Sequence, residues 1–163
     1  MKFKASLILL LLTLTLTLSS CAQKSYNSTL SCKELTNELK KEFSISEEGF
    51  EDYSDEDISF LFNSLDTYDD SCVCYSSDSI DICEVGVFHA SSEENAKRLY
   101  EDAMTYIKAM QEQKSDFIRS YSPSELSKLN SAEVRRYGRY VIFTVADADC
   151  KAKIFEKAES LLK

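Results

Sequence analysis

Glycine and proline are scarce, with 3 Gly and 1 Pro in 163 residues. So few backbone breakers leave no Gly-rich phosphate loop and argue against a long flexible tail or low-complexity linker. Histidine occurs once, at His89, and no Ser or Cys accompanies it in a known nucleophile–base motif. Basic residues are in deficit as well, 19 against 28 acidic ones. A surface of that sign repels nucleic acid and anionic lipid head groups alike, which argues against binding to a phosphate backbone. Acidic residues, in turn, are too numerous for any carboxylate pair to stand out as an acid–base couple. There is no internal repeat, and no catalytic set of residues emerges.

What is present begins at the N-terminus. Lys2 and Lys4 precede an uncharged run of Leu, Ile, Thr, Ala and Ser that ends in Leu18-Ser19-Ser20-Cys21. A charged start, a short apolar core and small residues before a cut are the pattern of a secretory signal. The tetrad itself resembles the lipobox of bacterial lipoproteins, in which the Cys thiol accepts a diacylglycerol and the peptide is cut just before it. The competing reading is an uncleaved membrane helix, since the uncharged run reaches Gln23 and approaches the roughly 20 residues of a span. Five Thr or Ser between Thr13 and Ser20 dilute its apolar character and favour the lipoprotein reading. The expected organisation is a signal peptide over residues 1–20, a lipidated tether over 21–30 and a single domain over 31–163. The leader takes Lys2 and Lys4 with it, so 17 basic residues face 28 acidic ones in the remaining 143, a formal charge of −11. The expected location is the outer face of the cytoplasmic membrane. There the membrane is the first partner, held through two acyl chains on Cys21.

Along the domain, Ser31 and Glu34 have capping-box spacing, and Leu35, Leu39 and Phe43 follow at helical intervals, predicting a helix over 32–43. An acidic stretch, Glu47 to Asp57, leads to a short helix with Ser54 or Asp57 as cap and Ile58, Leu61, Phe62 and Leu65 inward. Residues 68–75 and 80–90 read as two strands of a hairpin, with Ile82, Glu84, Gly86 and Phe88 on one face of the second. Ser91 and Glu94 suggest another capping box, opening a long helix over about 92–119. Ala96, Leu99, Tyr100, Ala103, Ile107, Met110 and Phe117 trace its stripe. That stripe reads as core, with a Met-plus-aromatic ligand groove as the alternative. Ser122-Pro123 closes the helix and starts a short one. Val134 to Val145 reads as a second hairpin turning at Tyr137-Gly138-Arg139, whose second arm is apolar throughout and is placed inside the sheet. Asp147 or Asp149 caps a final helix with Ile154, Phe155, Ala158 and Leu162 inward. The fold class is α+β, a small antiparallel sheet of about four strands in two hairpins, covered by helices on one face.

Glu84-Val85-Gly86-Val87-Phe88, the long helix after Ser92-Glu93-Glu94, Tyr121-Ser122-Pro123 and Tyr137-Gly138-Arg139-Tyr140-Val141-Ile142 occur in an order that resembles domain of unknown function 4358. That family occurs in lipid-anchored proteins of Gram-positive, mainly clostridial bacteria. The resemblance extends over roughly residues 31–163. It implies fold and location and brings no activity and no catalytic residues. Two departures are the several cysteines and Glu84-Val85-Gly86, where an acid-Ile-Ala sequence is commoner.

Cys32, Cys72, Cys74, Cys83 and Cys150 remain after Cys21. Five is odd, so one is unpaired unless it pairs between molecules. A turn near Ser77–Ser79 sets Cys74 almost opposite Cys83, which makes them the candidate disulfide; buried or free thiols are the alternative. Cys72, Cys74, Cys83 and His89 have the chemistry of a zinc set. However, six residues separate Cys83 from His89, about 20 Å along a strand, and no metal site is assigned. Cys-x-Cys also lacks the spacing that activates a thiol at a helix start. Asp52, Asp55, Glu56, Asp57, Asp66, Asp69 and Asp70 do not fit a calcium loop and read as a solvated face. Arg135, Arg136 and Arg139 cluster in the second hairpin. They read as protection of an exposed strand against edge pairing, with an anion or partner patch beside Tyr137 and Tyr140 as the functional alternative. The sequence thus predicts a lipid-anchored, non-catalytic binding module at the cell surface, with a protein or cell-wall partner and no cofactor. The competing reading is an enzyme with an unrecognised site, thiol-based oxidoreduction being the first candidate.

Overall fold

A computed structural model describes residues 25, 26, 28–62 and 66–163; Cys21 and the lipobox lie outside the described residues. The five strands are β1 (Phe50–Asp52), β2 (Tyr68–Ser76), β3 (Glu84–Ala90), β4 (Glu133–Tyr137) and β5 (Tyr140–Val145). They form one antiparallel sheet in the order β1-β2-β3-β5-β4. The helices are α1 (Cys32–Lys40), α2 (Asp55–Phe62), α3 (Glu93–Tyr121), α4 (Leu126–Ser131) and α5 (Ala148–Leu162). The α+β class and both hairpins are as the sequence predicts. Among the described residues no helix is long and apolar enough to cross a membrane.

Local signals account for most boundaries. Ser31 and Glu34 form a complete capping box on α1, and Ser54 and Asp57 make the same reciprocal contacts before α2. The long helix starts one residue later than the spacing of Ser91 and Glu94 suggests, because Ser92 accepts the Asn95 N–H at 3.1 Å. Asp147 caps α5 through the Cys150 N–H at 2.9 Å. Gly138, at φ 58°, is the first central residue of the two-residue turn from Tyr137 to Tyr140, a position that favours glycine.

Three sequence expectations need correction. Tyr100 and Phe117, read into the core stripe of the long helix, are exposed, and Ile118 is buried instead. The sheet has a fifth strand, β1, at the edge. Its Phe50 is buried while Glu51 and Asp52 are exposed, so an acidic stretch hid a three-residue strand. Helices also cover both faces of the sheet, not one. The inner strands β3 and β5 are apolar on both sides, and such runs call for two covering layers. On one face α1 and α5 place Leu35, Leu39, Ile154, Phe155 and Leu162 over Cys72, Cys74, Val85, Val87 and Ile142. On the other, α2 and α3 place Ile58, Phe62, Leu99, Ala103 and Ile107 over Val73, Phe88, Val141 and Phe143. The described part of the tether is engaged as well. Tyr26 meets Tyr137 edge-on at 5.4 Å, and Tyr140 donates its hydroxyl hydrogen bond to the Leu30 carbonyl at 2.6 Å.

Candidate functional site

The α2/α3 face does not close completely. Between the two helices lies a cavity of about 480 Å³, walled by Tyr53, Phe62, Tyr106 and Met110, with Asp102 and Lys114 at its polar margins. Its α3 residues fall at steps of three and four, on one stripe of the helix. Beside them Phe60 is 86% exposed, a large ring left in solvent at the rim.

A glycine sets the layer beneath the cavity's rings. Gly86 and Phe143 are register partners on β3 and β5. A Cβ at position 86 would lie 2.0 Å from Phe143 Cε1, so glycine alone lets that ring lie across the sheet. Phe143 then meets Tyr106 edge-on at 5.5 Å and Phe62 at 5.6 Å. Phe62 stands 4.7 Å from Tyr106. Glycine at position 86 thus matches a bulky aromatic partner across the strand.

Behind Tyr106 is the most unusual group in the molecule. Glu84 opens β3 on the pocket side of the sheet and is 3% exposed, and its Oε1 accepts the Tyr106 hydroxyl at 2.8 Å. Burial raises its carboxyl to about 7, although the Tyr106 hydrogen bond and the Lys114 ammonium both pull it down. Burial likewise raises Tyr53, to about 12, and pushes Tyr106 above the ordinary phenol range, each phenol feeling Glu84 and the other phenol. A buried carboxylate, two coupled tyrosines and an aromatic cavity bring perturbed ionisation and concave shape together. The sequence reading assigned Glu84 to a strand face without a role. The available signal was a single acid between Ile82 and Gly86 on an otherwise apolar face.

The residues singled out from the sequence fare differently. Cys32, Cys72, Cys74, Cys83 and Cys150 are free and buried. Cys74 pairs in register with Val85, and Cys83 instead gives its carbonyl to the Ser76 N–H at 2.8 Å, so the two cysteines are not opposite each other. Burial raises all five thiols, Cys74 to about 12 and Cys150 to about 11, which is opposite to what a reactive thiolate needs. Among the described residues no group of three or more His, Cys, Asp or Glu is arranged to hold a metal ion. His89 Nδ1 lies 2.6 Å from Asp69 Oδ1, and Asp69 also accepts Arg139 at 2.9 Å. Asp70 accepts the Cys32 N–H, and Asp52 pairs with Lys33.

The arginines do not make one patch. Arg135 and Arg136 are successive on the edge strand β4 and point to opposite faces. Arg135 stacks over Phe155 at 4.2 Å and pairs with Glu133 at 2.6 Å; Arg136 pairs with Glu93 at 3.0 Å. Arg139 donates to the Ala90 carbonyl at 2.6 Å.

Comparison with known proteins gives one result. The family model described as Domain of unknown function (DUF4358) matches residues 62–146, just over half of the chain, from the end of α2 through β5 and its following residue. No curated protein matches the chain, and no solved structure matches it. The matched span holds Glu84, Gly86, Tyr106 and Phe143, so the ring layer beneath the cavity and the acid behind it lie within the matched residues, and this chain is a member of the DUF4358 family.

Proposed function

We propose that the protein is a lipid-anchored binding module on the outer face of the cytoplasmic membrane, non-catalytic, with the cavity between α2 and α3 as its binding site. The observation that carries this reading is the cavity itself: about 480 Å³, aromatic-walled, and open beside an exposed Phe60. Concave, mostly apolar sites with few polar groups are what small ligands and inserted side chains occupy. The raised, buried thiols argue against thiol chemistry. The lipobox supports the anchoring half of the reading.

The two halves are tested separately. Cys21→Ala is expected to lose both cleavage at the usual site and retention in the membrane fraction; unchanged processing and retention would contradict the anchor. For the cavity, a photoreactive residue at position 60 on intact cells is expected to trap a discrete adduct. The same residue at position 80, where Ile80 is exposed on the β2–β3 connection, serves as control. Equal labelling from both positions would contradict the cavity as the binding site.

A further inference from the structure

We propose that the cavity takes a small aromatic or apolar molecule carrying a positively charged amine or quaternary ammonium group, seated against the rings of Tyr106 and Tyr53. This inference rests on the cavity being the binding site and names the chemistry of its occupant.

Three rings, Tyr53, Phe62 and Tyr106, line one space. A cation within about 6 Å of such a ring is attracted by its negative face. Tyr106 is the strongest of these faces, because its one hydroxyl proton is given to Glu84 at 2.8 Å. A phenol that donates to a carboxylate carries more electron density in its ring. Glu84 therefore acts on the cavity through Tyr106, without touching the occupant. The benefit is mutual, since a cation at the rings adds to the Lys114 ammonium in offsetting the cost of a buried ionised carboxylate.

The margins have an order along α3. Asp102 lies one turn before Tyr106, on the same stripe, so a second negative charge stands at that end. Lys114 lies eight residues after Tyr106, roughly 12 Å along the helix axis. The apolar Ala109 and Met110 lie between. The cationic group thus belongs at the Asp102–Tyr106 end and the apolar body toward Met110, with Lys114 beyond it. The acidic excess of the whole chain draws cations toward the molecule in the first place.

Three probes of similar size discriminate: phenyltrimethylammonium, benzyl alcohol and phenylacetate, each titrated calorimetrically into the full chain in detergent micelles. The cation is expected to bind at least about tenfold tighter than the alcohol, with phenylacetate weakest. Glu84→Gln is expected to lose about tenfold for the cation and leave the alcohol unchanged. Tyr106→Phe keeps the ring and cuts its link to Glu84, so it is expected to weaken the cation by a similar factor. Thermal melts of both variants show whether they fold, and Asp102→Asn gives a third variant at the margin. Equal or tighter binding of the alcohol or the acid, or a cation affinity unmoved by Glu84→Gln, would overturn the proposal while leaving the cavity as a site. If none of the three probes binds, the cavity reading falls with it. Membrane anchoring is judged separately by Cys21→Ala.

Discussion

On one face of the sheet, α1 and α5 lie over Val85, Val87, Ile142 and the thiols of Cys72 and Cys74. On the other, α2 and α3 lie over Phe88 and Phe143, with Phe62 and Tyr106 between them, and the layer leaves a cavity in front of a buried acid. The same strands supply both faces, because alternate residues point to opposite sides. At the centre of the first face the strands present small and branched side chains, whereas on the second Phe88 and Phe143 meet Phe62 and Tyr106, and large planar rings meeting at steep angles leave gaps at their edges. The comparison separates a side built for stability from a side that stores a polarised ring and a carboxyl near neutrality. It also explains why the cysteines, conspicuous in the sequence, belong to the structural side.

The largest effect expected is on the α1/α5 face. Phe155→Ala removes a fully buried ring and the platform for Arg135, and is expected to cost about 4 kcal/mol in denaturant unfolding. Probe affinity at the cavity should not move. A loss of cation binding in that variant, measured well below its melting temperature, would break the separation of the two faces.

Next in size is the pH response of the open face. Folded Glu84 keeps its proton to about 7, against an ordinary value of 4.5, so the folded state binds more protons than the unfolded one between those limits. Stability contributed by this group is therefore present at low pH, falls as pH rises through that window and stays lost above it. The total is about 3 kcal/mol. Chemical denaturation at pH 4.5 and pH 8 is expected to show that fall in the native chain. Glu84→Gln should show a correspondingly smaller one. Identical pH dependence in the two proteins would contradict the burial cost assigned to Glu84.

Gly86→Ala drives a methyl group into the Phe143 ring and is expected to destabilise by about 2 kcal/mol. It should also disturb the Tyr106 ring signals, since Phe143 holds that ring edge-on. Gly86→Ala combined with Phe143→Leu should recover part of the loss. No recovery would place the strain elsewhere.

The smallest effect is a gain on the α1/α5 face. The Thr36 hydroxyl is fully buried and has no hydrogen-bond partner among the described residues, although the Cys72 thiol is near enough to feel it. Thr36→Val should stabilise by about 1 kcal/mol, readable as a small rise in melting temperature. A loss of stability would mean that the hydroxyl is satisfied by that thiol.

Much of the scaffold was legible in the sequence because its signals are local. Ser31 with Glu34, Asp147 before α5, Pro123 after the long helix and Gly138 in its turn each act within a few residues. The inner position of β5 followed from the unbroken apolar run Tyr140–Val145. Three features were not legible, and each depends on pairing across the chain. The strand at Phe50–Asp52 exists because Phe50 reaches the α1 side of the sheet beside Ser76, which an acidic local context does not announce. The second helical layer became visible only once both sides of β3 and β5 were counted as buried. The site rests on Glu84 and Tyr106, 22 positions apart and joined only when α3 crosses β3. The candidate disulfide erred for the same reason. The residues 77–83 form a longer connection than a tight turn, which moves Cys83 past Cys74 to Ser76.

The difference between the faces is tested most directly by mapping where a cation lands. Methyl-labelled full-length protein in micelles, titrated with phenyltrimethylammonium, reports on both faces in one spectrum. Met110 and Leu61 line the cavity, while Leu35, Leu39 and Ile154 belong to α1 and α5 on the other side. The account predicts saturable shifts at Met110 and Leu61 with Leu35, Leu39 and Ile154 unmoved, and loss of those shifts in Glu84→Gln. Shifts at Leu39 and Ile154, or none at Met110, would contradict it.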